Sequence, residues 1–122
     1  MHEMSIALSI VEGAIEEARR HDGSTVSVVR LQLGKLSGVV REALLFSYEL
    51  ACEGTILAGS ALEIEEIPAT VFCRKCDAEQ TLVSIQDFSC PICHMPTSEV
   101  VQGRELLITG LELIDEHAAA AG

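Results

Sequence analysis

Two Cys-x-x-Cys pairs, Cys73 with Cys76 and Cys90 with Cys93, stand thirteen residues apart, and the chain opens with Met1-His2-Glu3. Each cysteine pair can fold into a tight knuckle whose backbone amides point at the sulfurs. Four thiolates then converge on one tetrahedral ion, and a closed cage of this kind is usually structural zinc. Iron competes for the same four sulfurs and would make an electron carrier, although the sequence around the motif is poor in aromatic residues. The opening tripeptide offers different donors. The Met1 α-amine and His2 backbone nitrogen close a five-membered ring on a metal, and that nitrogen with the His2 imidazole closes a six-membered one. Three nitrogens in a plane suit square-planar Ni(II) or Cu(II). Loss of the amide proton makes such binding steeply pH-dependent. A fourth donor is supplied by the Glu3 amide or by His94, which directly follows Cys93. His94 reads equally as an alternative zinc ligand or as a hydrogen-bond donor to a cysteine sulfur. Glu3 adds a carboxylate oxygen or only charge.

Other candidates for chemistry are plainer. Cys52 reads as a small buried apolar residue, and His21 and His117 as solvent-exposed side chains at a helix end and in the tail. No nucleophile motif surrounds any serine or histidine. Gly34-Lys35-Leu36-Ser37 lacks the upstream glycine of a phosphate-binding loop, so no enzyme is expected.

The elements that must position these donors follow from composition and period. A chain of 122 residues can hold one core of useful size plus a small satellite that needs a staple. Apolar residues make up 48%, with three Phe, one Tyr and no Trp, so the core is aliphatic. Only eight Lys and Arg stand against nineteen Asp and Glu, and the net charge of -11 argues against nucleic acid as a partner. No apolar run is long enough to span a membrane and no signal sequence opens the chain, so a soluble, cytoplasmic protein is expected. In a reducing compartment paired cysteines favour metal over disulfide.

Met4, Ala7, Leu8, Val11, Ala14, Ile15 and Ala18 recur at helical spacing, which predicts an amphipathic helix over residues 5 to 21, stopped by Gly23. Val29, Leu31 and Leu33 alternate with Arg30 and Gln32 in a strand over Thr25 to Leu33, and Gly34 and Gly38 bracket a loop. A second helix runs from Glu42 to Cys52, with Leu44, Leu45, Tyr48 and Ala51 on one side and Gly54 ending it. Leu62 and Ile64, with outward Glu63 and Glu65, form a second strand up to Pro68. Leu106 to Ile114 alternates Leu107, Leu111 and Leu113 against Thr109 and Glu112, and that strand should return to the first sheet. The fold class expected is α+β: a small helix and sheet domain over residues 1–68, completed by 104–115, carrying an inserted zinc-ribbon module over 69–103. Residues 116–122 are read as a flexible tail.

Taken together, Met1-His2-Glu3, the stretch Leu33-Gly34-Lys35-Leu36-Ser37-Gly38-Val39, Gly54-Thr55, Leu62 to Pro68 and the double Cys-x-x-Cys module resemble the HypA/HybF family. That family comprises nickel metallochaperones for hydrogenase maturation, and the resemblance covers residues 1 to 115. It implies that Met1, His2 and Glu3 bind Ni(II) as transient cargo and that Cys73, Cys76, Cys90 and Cys93 hold structural Zn(II). It implies delivery of nickel to the hydrogenase large subunit precursor with the help of a maturation GTPase, from a monomer or weak homodimer. Some members also serve urease. Some carry a histidine after both cysteine pairs, whereas here Asp77 follows Cys76 and only His94 fills the second place. A zinc-ribbon adaptor that carries no nickel is the competing class.

Overall fold

The computed structural model describes residues 3–21 and 24–114. Helix α1 (Glu3–Arg19) is followed by strand β1 (Thr25–Gly34), helix α2 (Arg41–Cys52) and strand β2 (Ala61–Ile67). Three short strands, β3 (Thr70–Cys73), β4 (Ala78–Thr81) and β5 (Val100–Gln102), precede a long last strand, β6 (Leu106–Ile114). The long strands form one three-stranded sheet in the order β2-β1-β6, and the short ones a second in the order β4-β3-β5. The last strand therefore does pair with the first, and the class is α+β.

Local chemistry accounts for the ends of α1. Glu3 lies in its first turn and Arg19 in its last, each at the end of the helix dipole that favours its charge. The helix stops at Arg19, two residues before the expected end. There the amides of Arg20 and His21 bond back to the carbonyls of Glu17 and Ala18, a tightened last turn, and the Ser24 hydroxyl donates to the His21 carbonyl. The expected stop at Gly23 lies outside the described residues, as does the expected tail. Burial falls on Ala7, Ile10, Val11, Ala14 and Ala18. Met4 and Leu8, counted in the apolar stripe from sequence, are exposed.

The chain divides into two compact units. One comprises Met1–Leu31, Val39–Ile64 and Ile108–Gly122; the other comprises Gln32–Gly38 and Glu65–Leu107. In the first unit α1 packs against α2. Their inner faces, with Val26, Val29, Leu31 and Leu57, make the principal core. Leu62, Ile64, Ile108, Leu111 and Leu113 close over it. Leu31, Leu44 and Leu57 are fully enclosed, and removing such a side chain typically costs about 2–5 kcal/mol. On the exposed side of this sheet Arg30 bonds to Glu63 at 3.3 Å and to Glu112, tying β1 to both neighbours. In β6 both Gly110 and Leu111 are half-buried, so the in-and-out alternation slips by one there. Leu107, expected inward, is exposed as a result, and Ile108 takes its place in the core.

The second unit is built on β3. It pairs antiparallel with β4, in the register Thr70 to Thr81, Val71 to Gln80, Phe72 to Glu79 and Cys73 to Ala78, and with β5 on its other edge. Its hydrophobic cluster is Ala69, Val71 and Leu82, with Leu36, Phe88 and Val100 packed around them, and Leu33, Cys73 and Cys90 are buried as well. Two glycines fix a close backbone approach beside this core. A Cβ at Gly34 would stand 2.0 Å from the Gly103 carbonyl oxygen, and Gly103 has a φ of +125°. The Leu36 amide donates to that same carbonyl at 2.6 Å and the Lys35 amide to Ile67 at 3.0 Å. The Gly34-containing motif is thus a loop stitched to the backbone on either side of the cysteine segment.

Candidate metal centre

Strand β3 ends at Cys73, and a turn returns the chain through Cys76 into β4, so the first knuckle is the hairpin connection itself. The second knuckle has no strand to carry it and is assembled by hydrogen bonds. Cys90 donates its amide to the Met95 carbonyl at 2.9 Å, His94 donates to Cys90 at 2.8 Å, and Ser89 and Pro96 form an isolated bridge. Thr97 then anchors this loop to β3, its hydroxyl donating to the Phe72 carbonyl at 2.8 Å beside Cys73. Within each knuckle a backbone amide points at the first sulfur: Cys76 N–H to Cys73 Sγ and Ile92 N–H to Cys90 Sγ, both at 3.4 Å. Such donors stabilise a thiolate.

The four sulfurs of Cys73, Cys76, Cys90 and Cys93 lie within 4.8 Å of one another. Cys73 Sγ is 3.5 Å from Cys93 Sγ, and Cys76 Sγ is 3.9 Å from Cys90 Sγ. A disulfide needs sulfurs about 2.05 Å apart, so these are free thiols. A tetrahedron of metal–sulfur bonds of about 2.3 Å has edges of about 3.8 Å, which the two distances bracket. The donor set and its geometry fit zinc. Crowding sets the protonation of the thiols: Cys76 is pushed up to about 12, first by its hydrogen bond with Cys93 and then by burial. Cys90 is drawn down to about 7 by backbone hydrogen bonds from Cys93 and Ile92, against the effect of burial. Uptake of a cation by such a site displaces the protons that remain.

The other expected donors are placed less fully. Met1 and His2 lie outside the described residues. Glu3 is the first residue of α1 and is half-buried. His94 is exposed and is not among the four clustered donors. Its backbone φ is +63°, and Asp77, at the matching place after Cys76, has φ +52°. Both knuckles therefore end in a left-handed residue, a role that sequence reasoning missed. The signal was present in the spacing, since each follows the second cysteine of its pair, but neither is the glycine that usually marks such a position.

A small α+β protein with a four-thiolate metal centre is the class that fold and site define. Residues 1–113 match the family HypA, described as hydrogenase/urease nickel incorporation, metallochaperone. A Roseiflexus protein, hydrogenase maturation factor HypA, is 47% identical over 120 residues, covering 98% of both chains. The protein of the same name from Chloroflexus aurantiacus is 48% identical over 112 residues, covering 92% of this chain and 98% of its own. This chain belongs to the HypA family. The solution structure of the Ni metallochaperone HypA from Helicobacter pylori superposes with a TM-score of 0.64 at 22% identity, covering 93% of this chain and 98% of that one, and so shares the fold. No helix among the described residues is long and apolar enough to cross a membrane.

Proposed function

We propose that this protein is a nickel metallochaperone that binds Ni(II) at its amino terminus and delivers it for insertion into the [NiFe]-hydrogenase large subunit precursor. The observation that carries this reading is the family match over residues 1–113. In this reading the Met1 amine, the His2 amide nitrogen and the His2 imidazole hold the ion in one plane, with Glu3 or His94 supplying the fourth donor. Ligands at the end of a chain release metal to a partner by stepwise exchange, where a closed cage would retain it. Cys73, Cys76, Cys90 and Cys93 hold structural Zn(II), for which the sulfur tetrahedron is the support. The nickel-binding part, expected over 1–68 with 104–115, is taken as the first compact unit, and the zinc-binding part, expected over 69–103, as the second, which also includes Gln32–Gly38 and a few residues at each junction. The protein acts in the cytoplasm, without catalysis of its own, alongside a maturation GTPase. The net charge of -11 favours capture of the cation and docking to a basic partner face. Complex formation with the GTPase should then weaken as salt is raised; an encounter indifferent to ionic strength would remove the electrostatic part.

Nickel titration by calorimetry on protein with a native amino terminus tests the site, alongside His2→Ala and a variant with one residue added before Met1. One tight site lost in both variants, with zinc content unchanged, is the expected result. Equal nickel binding in all three proteins would overturn the terminal chelate.

A further inference from the structure

The outward face of α2 breaks three ordinary rules of surface design. Phe46 keeps 65% of its surface exposed and Leu50 41%, one helical turn apart on the same stripe. Beside them Glu42, Glu49 and Glu53 are exposed in a parallel row, spaced by seven and four residues. Glu49 and Glu53 stand at the carboxyl end of the helix, where the last turn carries no basic residue and the terminal carbonyls oppose negative charge. The carboxylates are also uncompensated. Glu16, Glu17, Glu63, Glu99 and Glu112 each have an arginine partner, but among the described residues no ion pair engages Glu42, Glu49 or Glu53. A groove of about 470 Å³ opens beside the row, lined by Leu45, Tyr48, Glu49, Cys52 and Ser60 among others. In it the Tyr48 and Ser60 hydroxyls are bonded to each other at 2.7 Å.

An apolar stripe with an acidic row on one side calls for the complementary pattern. We propose that this face docks an amphipathic helix of a partner protein, its apolar stripe covering Phe46 and Leu50 and its adjoining lysines or arginines meeting Glu42, Glu49 and Glu53. A long cationic side chain passing between Glu49 and Glu53 lays its aliphatic stem in the groove. Cations arriving there also relieve the conflict with the helix dipole, so the face gains more from this partner than from a neutral one. A second copy of the chain is the wrong occupant. It would set three carboxylates against three, on molecules that each carry a net charge of -11.

The test uses the whole protein and a synthetic leucine–lysine peptide that folds as a basic amphipathic helix, with a scrambled peptide of the same composition as control. Fluorescence anisotropy reads affinity, and amide NMR shifts read location. The amphipathic peptide should bind about tenfold or more tighter than the scrambled one. Its shifts should centre on residues 42–53, and Phe46→Ser with Leu50→Ser should abolish the preference while the helical circular-dichroism signal is retained. Glu49→Gln with Glu53→Gln, which leaves the apolar stripe intact, should weaken it as well. Equal affinity for the two peptides, no effect of either pair of substitutions, or shifts centred on the acidic residues of α1 would overturn the proposal. So would sedimentation showing a dimer that Phe46→Ser dissociates, since a second copy would then be the occupant.

Discussion

His94 occupies a backbone position, at φ +63°, that costs most L-residues about 1 kcal/mol or more and that glycine adopts freely. Its exposed side chain stands outside the sulfur cluster. His94→Gly is therefore expected to leave zinc stoichiometry unchanged and to raise stability by up to about 1 kcal/mol, partly offset by the greater freedom of glycine in the unfolded chain. Metal analysis together with chemical denaturation checks both halves. Loss of zinc from the variant would make His94 a ligand. The four cysteines were legible because thiolate pairs at this spacing have few other uses in a reducing compartment. The left-handed residues were not, because Asp and His tolerate that conformation without announcing it. Thr97 was equally silent, since a threonine hydroxyl that ties a loop to a strand has no spacing rule.

Among the elements, both helices and all three long strands were readable because each buries one face against a single core. The periods held even where the details slipped. The sequence cannot say that Ile10 turns inward while Met4 and Leu8 turn out, since that is decided by which flank of α1 the neighbouring elements cover. Strands of three or four residues inside the cysteine segment, β3, β4 and β5, are too short to show a period. The glycine loop illustrates the reverse case, where a motif residue gains a physical reason only from structure. A Cβ at Gly34 would sit 2.0 Å from one backbone carbonyl oxygen and 2.6 Å from the Arg104 nitrogen, and backbone can yield only by breaking the bonds that stitch Lys35 and Leu36 in place. Gly34→Ala should cost about 3 kcal/mol or more, in the range of severe overpacking. Thermal melts followed by circular dichroism give the number. A variant that melts with the native protein would show that the close approach is not needed for the fold.

The two units differ in what stabilises them. The first has two packed helices and a core of fully enclosed aliphatic side chains. The second orders Gln32–Gly38 and Glu65–Leu107 around a small apolar cluster, Ala69, Val71 and Leu82, with Leu33 and two of the cysteines also buried. Ordering a backbone costs about 1–2 kcal/mol per residue, and burying a valine or leucine returns only about 1.5–3 kcal/mol. That core cannot hold the unit alone. Structural zinc contributes on the order of 10 kcal/mol at such a site, the staple that a small satellite in a chain of 122 residues needs. Removing zinc with a strong chelator should therefore melt the second unit and spare the first. Far-ultraviolet circular dichroism should retain most of its helical signal, because both helices belong to the first unit. Amide NMR signals of β3, β4 and β5 should collapse toward the unfolded positions while those of α1 and α2 stay dispersed, and Cys73→Ser should give the same pattern. If chelation instead unfolds both units in one transition, the first core depends on the second. The zinc centre would then be part of the folding of the whole molecule, and a nickel site at the amino terminus could no longer be studied apart from it.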